Sequence, residues 1–305
     1  MKCLKRGLIY TPPFDGSWRD NSALTPTPYL INKNTIRVFC GFRDKSGVSR
    51  IGYVDLNAAN PSHIKKVSDA PILDVGQPGM FDDNGLILGD IITYQDKLLM
   101  YYVGFQLVQK VKFLAFSGLA VSSDNGESFH RIQETPVFDR AEEAKFIRAI
   151  HSVSIVNGKV RLWYATGNGW EQINGKPFPQ YDINWIDSNS PYSIHGVGTK
   201  CVLPDASNSE YRIGRPRVFP HRGQYLMTFT YGTTDGRYMA GMATSKDGET
   251  WQRNDSLLGL KLSDNGWDSV HLCYPALITV MDKTYVFYNG NNMGYDGFGY
   301  AELLD

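Results

Sequence analysis

Acidic, basic and imidazole side chains gather in this sequence at or just before the start of short apolar runs. Asp82 and Asp83 share the turn FDDNG, and Asp90 lies inside the apolar run LILGDIITY. Asp268 and His271 stand in DNGWDSVHLCYP, where Tyr274 directly precedes a proline. Arg148 and His151 lie in RAIHSVSIV, Arg215 opens RPRVF, and Asp20 precedes TPYLI. Carboxylates and histidine can give or take a proton, and an arginine fork can hold an anion or a hydroxyl. Brought together, such a set would suit acid–base chemistry on a polar substrate. Each residue also has a plainer reading. An aspartate in an apolar strand needs a partner or a polar cavity, and capping a backbone amide would satisfy Asp90 as well. A single histidine at a strand start is commonly hydrogen-bonded structure, and the segment around Asp20 also reads as a solvated loop.

A repeat supplies the means of bringing them together. An aromatic-rich strand that stops at a glycine occurs five times, as IRVFCG, LLMYYVG, VRLWYATG, YLMTFTYG and YVFYNG, with successive glycines 63, 63, 65 and 58 residues apart. Ahead of each comes a shorter apolar run and a turn: TPYLINKN, GDIITYQDK, HSVSIVNGK, RPRVFPHRG and YPALITVMDK. A third strand follows in RIGYVDL, FSGLAVSS, YMAGMATS and GFGYAEL, with YSIHGVGTK the weaker match in the third copy. Alternating strands bounded by turn residues, repeating at about sixty residues, fit a propeller blade better than a solenoid turn. A two-sheet sandwich would leave the even spacing unexplained. The expected fold is therefore all-β, a five-bladed β-propeller forming a single domain over 1–305. Residues at the starts of the first strands, among them Asp90, His151, Arg215, Asp268, His271 and Tyr274, should then converge on one axial funnel. Residues 1–10 read as a strand added to the outer edge of the last blade, closing the ring.

Two segments, SSDNGESF and SKDGETW, have the form of Asp-box turns. There Asp124 and Asp247 accept backbone hydrogens while Phe129 and Trp251 lie beneath. They point to fold rather than chemistry. The longest insertion, NGWEQINGKPFPQYDINWIDSNSPYS, reads as a loop over one face whose Trp170, Tyr181 and Trp185 either cap a ligand or anchor the loop.

Composition narrows the partners. The 305 residues carry 31 basic and 31 acidic side chains, so neither nucleic acid nor an anionic membrane surface is expected to bind. The apolar stretch 98–116 is interrupted by Gln106, Gln109, Lys110 and Lys112, which argues against membrane insertion. The start MKCLKRGLIYTPPF lacks a sustained apolar core and a small-residue cleavage site, so no secretory signal is read there. Cys3, Cys40, Cys201 and Cys273 stand far apart, which suggests reduced thiols and a cytoplasmic protein. No HxxH or HExxH spacing occurs, and neither a metal nor another cofactor is assigned.

Taken together, FDDNG, LLMYYVGF, GRPRVF, MATSKDGETW, DNGWDSVHLCYP and YNGNNMGYDGFGYAEL resemble a family of glycoside-hydrolase-like five-bladed propellers found with surface-polysaccharide biosynthesis genes. That family is similar in fold to the arabinanase/xylosidase and invertase clans. In it, the segment before the last inner strand reads GWDSEM, then a carboxylate and YP. Here Val270, His271 and Cys273 stand where a Glu, a Met and a second acid would be. The resemblance implies a carbohydrate or sugar-nucleotide ligand and chemistry on a glycosidic or sugar-nucleotide bond. Glycoside hydrolysis uses two carboxyl groups. The residues left for it are Asp90 or Asp83 as base and Asp268 or His271 as proton donor. Substrate contacts would come from Asp20, Asp82, Arg148, His151, Trp170, Arg215 and Tyr274. A phosphorolytic variant would use Arg148, His151, Arg215 and His271 to hold phosphate. A glycan-binding protein that kept the fold after losing its acid is the alternative from another class.

Overall fold

The computed structural model describes residues 1–304, and their regular elements are β-strands and three short 3-10 turns. After β1 (Lys2–Tyr10) the chain builds five antiparallel blades in order. The first holds β2 (Asn21–Asn32), β3 (Thr35–Arg43), β4 (Ser49–Asn57) and β5 (Asn60–Val67), and the second β6 (Leu86–Tyr94), β7 (Lys97–Gln106), β8 (Leu114–Ser122) and β9 (His130–Arg131). The third holds β10 (Ile147–Val156), β11 (Lys159–Ile173), β12 (Lys176–Ser188) and β13 (Thr199–Val202). In the fourth are β14 (Glu210–His221), β15 (Gln224–Thr233), β16 (Tyr238–Ser245) and β17 (Gln252–Arg253). The last holds β18 (Cys273–Val280), β19 (Lys283–Asn289) and β20 (Phe298–Leu304), and β1 completes it from outside by pairing with β20 from Lys2↔Leu304 to Tyr10↔Phe298. The innermost strands β2, β6, β10, β14 and β18 touch one another in that order, and β18 touches β2. The five-bladed ring expected from the repeat is the fold.

Because each sheet has two apolar faces, the core is divided among the seams between blades. Phe39, Tyr53, Leu88, Met100 and Phe129 fill the first seam, and Val38, Val54, Phe287 and Tyr300 fill the seam where the ring closes. The middle strands do not stop at the repeated glycine, since four of the five run past it, and its presence has a steric cause in four copies. A Cβ on Gly104 would run into Asp82 and the Phe81 ring, and one on Gly290 into the Trp267 backbone and ring. At Gly167 and Gly232 the obstacles are Ile147 and Arg212. Gly41 is the exception, with ordinary contacts only.

The long insertion differs from expectation. It is a twisted hairpin rather than a loop, since β11 and β12 stay paired through Ile173↔Lys176, with a register shift between Thr166 and Gly169. The third strand of that blade is therefore Lys176–Ser188, and most of YSIHGVGTK precedes the short β13. The proline and aromatic content that suggested a loop is accommodated at a partly exposed strand pair.

Candidate functional site

Each innermost strand breaks its ladder near its start, and the break sets a side chain on the axis. The irregularities fall at Thr25, Gly89, His151, Arg215 and Tyr274. Thr25, Arg215 and Tyr274 have φ of 54°, 57° and 56°, and each precedes a proline. Left-handed backbone at non-glycine residues costs on the order of 1–3 kcal/mol, so the ring must hold these positions in place. It does so with side chains from neighbouring blades. Asn289 Oδ1 accepts from Thr25 N–H, Asp90 Oδ2 from Val153 N–H, Ser152 Oγ from Val218 N–H, and Thr230 Oγ1 from Tyr274 N–H.

Arg215 plugs the axis. Its Nη1 donates to the carbonyls of Leu88 and Gly89 and meets His151 Nδ1 at 3.0 Å, while Nη2 donates to Thr25 O and Thr27 Oγ1. One guanidinium thus joins blades one, two, three and four. Arg217 lies beside it, donating to Gly89 O and His151 O and pairing with Asp90 Oδ1 at 2.6 Å. Asp90 accepts from Ile91 and Val153 N–H as well, so both of its oxygens are engaged. Burial, with the charges of Arg215 and Arg217, holds His151 well below the usual imidazole range. Its Nδ1 is then an acceptor and the ring is neutral at pH 7. Burial also lowers Arg215, to about 9, which leaves it charged at neutral pH.

Asp82 and Asp268 are twins in the repeat, set apart from the axial plug. Each follows an aromatic residue that stacks on a tyrosine two positions before the repeated glycine: Phe81 on Tyr102 at 5.9 Å, and Trp267 on Tyr288 at 5.0 Å. Each carboxylate is buried against a cation, Asp82 with Arg131 at 2.7 Å and Asp268 with Lys5 at 2.6 Å. Tyr288 also donates to Asp268. Removing either cation would leave a buried charge unpaired, so these pairs hold the turns over the middle strands. Aromatic-Asp before an inner strand, matched by Tyr-x-Gly in the next, was a sequence signal for the pairing.

The other expected residues divide between mouth and scaffold. Asp83 is half-buried and accepts from Gly79 N–H and Asn84 Nδ2; His271 is half-buried, its Nδ1 accepting from Asn292 N–H. Asp20 is buried and folds its own loop by accepting from Gly16 N–H. Arg148 is also buried, paired with Glu143 at 2.7 Å and lying 3.6 Å from the Phe138 ring centre, so its fork is already filled. Trp170 packs against Phe113 and Phe146, and Trp185 lies under Arg161, so both anchor the hairpin. Tyr181 instead leans over Gly214 beside the axis. Of the set expected to hold phosphate, Arg148 and Arg215 give their Nη donors to protein acceptors and keep a buried Nε without one.

Near the starts of β14 and β18 lies a group of tyrosines, of which Tyr181, Tyr211 and Tyr274 are half-buried and Tyr238 is buried. Tyr238 donates to the Tyr274 hydroxyl at 3.2 Å, with ring centres 5.7 Å apart, and Arg212 lies between Tyr181, Tyr211 and Tyr238. Burial raises the Tyr238 and Tyr274 phenols, which keeps both protonated as hydrogen-bonding groups. Arg43, Arg212, Arg217 and Tyr238 were missed among the candidates. Of these only Arg217 carried a signal, as the second arginine of GRPRVF.

No family model matches the chain. Its fold is shared with a thermostable family-43 glycoside hydrolase, at 15% identity and a TM-score of 0.66, over 96% of this chain and 91% of that one. It is shared equally with a protein described under the GH130 family of mannoside phosphorylases, said to contain glycoside hydrolases that target β-1,2 mannosidic linkages in Candida mannan. That likeness is 15% identical with a TM-score of 0.69, over 98% and 93% of the two chains. In sequence the chain is 31% identical over 300 residues to Uncharacterized protein Rv1502 of Mycobacterium tuberculosis (strain ATCC 25618 / H37Rv), spanning 98% of both. The chain belongs to the family of Rv1502.

Proposed function

We propose that this protein is carbohydrate-active and takes a sugar at the axial mouth, on the tyrosines that surround Tyr274. The observation that carries this reading is the contrast between a closed axis and an open aromatic rim. Asp90, Asp82 and Asp268 are buried and paired with arginine or lysine, whereas Tyr181 and Tyr274 remain partly exposed around the start of β18. Aromatic faces suit the apolar face of a sugar ring, and the Tyr274 hydroxyl suits its hydroxyls. Recognition is favoured over two-carboxylate hydrolysis because a carboxylate bound by a guanidinium is a poor base or nucleophile. The ligand would come from surface-polysaccharide metabolism, and the four unpaired cysteines agree with a cytoplasmic setting, where sugar nucleotides and lipid-linked intermediates are available.

A second reading, cleavage of a glycosidic or sugar-nucleotide bond, is favoured by the fold shared with glycoside hydrolases and phosphorylases. It would rest on Asp83 and His271, the two members of the expected proton-transfer set that stay half-exposed. One experiment separates the readings: binding and turnover on a panel of glycosides and sugar nucleotides for the parent chain, Tyr274→Ala, Asp83→Asn and His271→Asn. Recognition predicts binding that Tyr274→Ala weakens by about tenfold, one base-stacking equivalent, with no turnover in any protein. Turnover abolished by Asp83→Asn or His271→Asn would replace recognition with catalysis, and a panel without binding would remove both.

A further inference from the structure

The buried and half-buried arginines of this protein are nearly all paired with acids. Arg37 has Asp55 and Glu127, Arg131 has Asp82, Arg148 has Glu143, Arg161 has Asp187 and Glu249, Arg217 has Asp90, and Arg253 has Glu210 and Asp255. Arg215 spends its donors on carbonyls and a hydroxyl. Two others stand apart. Among the described residues, no carboxylate pairs with Arg43 or Arg212; the Nε of each is buried without an acceptor, as are those of Arg148, Arg215 and Arg217, whose Nη atoms, unlike theirs, are bonded to protein acceptors. Both side chains are half-buried.

Their positions coincide with the open rim. Arg43 ends β3, opposite Asn21 at the start of β2; Arg212 lies near the start of β14, opposite Gly232; and Tyr274 lies near the start of β18, between the other two blades. The Arg212 guanidinium lies 4.7 Å from the centre of the Tyr238 ring, whose hydroxyl meets that of Tyr274 at 3.2 Å, and β2, which Arg43 faces, touches β18. Burial pulls Arg43 below the ordinary arginine value, as expected of a cation withdrawn from water without a counter-charge, whereas at Arg212 burial is outweighed by the surrounding phenols of Tyr181, Tyr238 and Tyr211, which hold it above that value. A half-desolvated guanidinium lacking an anion binds an oxyanion strongly, and two of them beside a hydroxyl form a fork for it.

We propose that Arg43 and Arg212 form an anion subsite on either side of Tyr274, which takes the carboxylate or phosphate of an acidic sugar. This deepens the sugar reading and rests on it. The pyranose ring lies toward Tyr181 and Tyr238, while the charged group is held between the two guanidinium groups.

The test is calorimetric titration of the full chain with glucuronate and galacturonate oligosaccharides, their neutral counterparts, a sugar nucleotide and inorganic phosphate. It is repeated with Arg43→Gln, Arg212→Gln and the two Lys variants. Acidic ligands should bind at least tenfold tighter than neutral ones at low salt, lose that advantage as salt is raised, and lose tenfold or more in each Gln variant while neutral ligands are unaffected. The Lys variants should recover part of the loss. If a Gln variant fails to fold, the salt dependence and charge preference of the parent chain still decide. Preference for carboxylate oligosaccharides identifies a uronic sugar, and preference for the nucleotide identifies a phosphorylated one. Equal binding of acidic and neutral sugars overturns the subsite and keeps the sugar reading. Phosphate binding without any sugar binding keeps the subsite and overturns the sugar reading; no binding at all overturns both.

Discussion

His151, Arg215 and Asp90 are candidates for substrate contact in the sequence, and the structure uses all three to join blades. The difference lies in the partners rather than in the place. The repeat located them correctly on the axis, but nothing in the sequence says that Arg215 finds carbonyls of blades one and two before any ligand does. One consequence is measurable. His151 is neutral in the folded protein and titrates near 6.5 when unfolded, so below that pH the unfolded chain binds a proton that the folded chain refuses. Stability is complete above about 6.5 and falls with acid by up to about 1.4 kcal/mol per pH unit until the depressed folded value is reached. His151→Asn keeps an acceptor for Arg215 and removes the titration. Denaturant unfolding between pH 5 and 7 should then show a shallower acid slope than the parent; equal slopes would mean that His151 is not the titrating group.

Among elements, the Asp-box turns prove to be joints. The turn leaving β8 sets Phe129 against Phe39 at 6.1 Å and presents Glu127 and the Gly126 carbonyl to Arg37, which is also paired with Asp55. The turn leaving β16 repeats this one pair of blades later. Trp251 meets Trp163 at 6.3 Å, and Glu249 with the Asp247 carbonyl meets Arg161, itself paired with Asp187. Each arginine lies on an aromatic ring, Arg37 over Tyr53 and Arg161 over Trp185. The turns were legible because each has Ser two residues before Asp and a Gly one or two residues after it. Their receptors were not, because Arg-x-Phe and Arg-x-Trp acquire meaning only once the preceding blade is beside the turn. Arg37→Leu should cost about 3–5 kcal/mol, since Asp55 would be left buried and unpaired. Arg6→Leu, at the rim, where Glu302 keeps Lys283 as a second partner, should cost much less. Urea midpoints of the two variants compare them directly, and similar losses would deny the joint its role.

At the scale of the whole molecule, the ring is closed by a strand from the opposite end of the chain. β1 covers the free edge of β20, and Lys5 reaches the buried Asp268. Closure was read from position alone, while the ion pair that accompanies it was invisible, because Lys5 and Asp268 are brought together only by the finished ring. Removing residues 2–10 would expose a β-edge and strand Asp268 without its cation. The truncated chain should melt cooperatively at a lower temperature and aggregate on concentration, as read by calorimetry and light scattering. A melting point and a monomeric mass like those of the parent would show that four strands per blade are not needed for closure.

The pairing of β1 with β20 also bears on biosynthesis. β1 is translated before all five blades and its mate β20 closes the fifth, so β1 must wait, unpaired, while the blades are made. Its three cationic side chains, Lys2, Lys5 and Arg6, discourage a stray partner from taking that edge in the meantime.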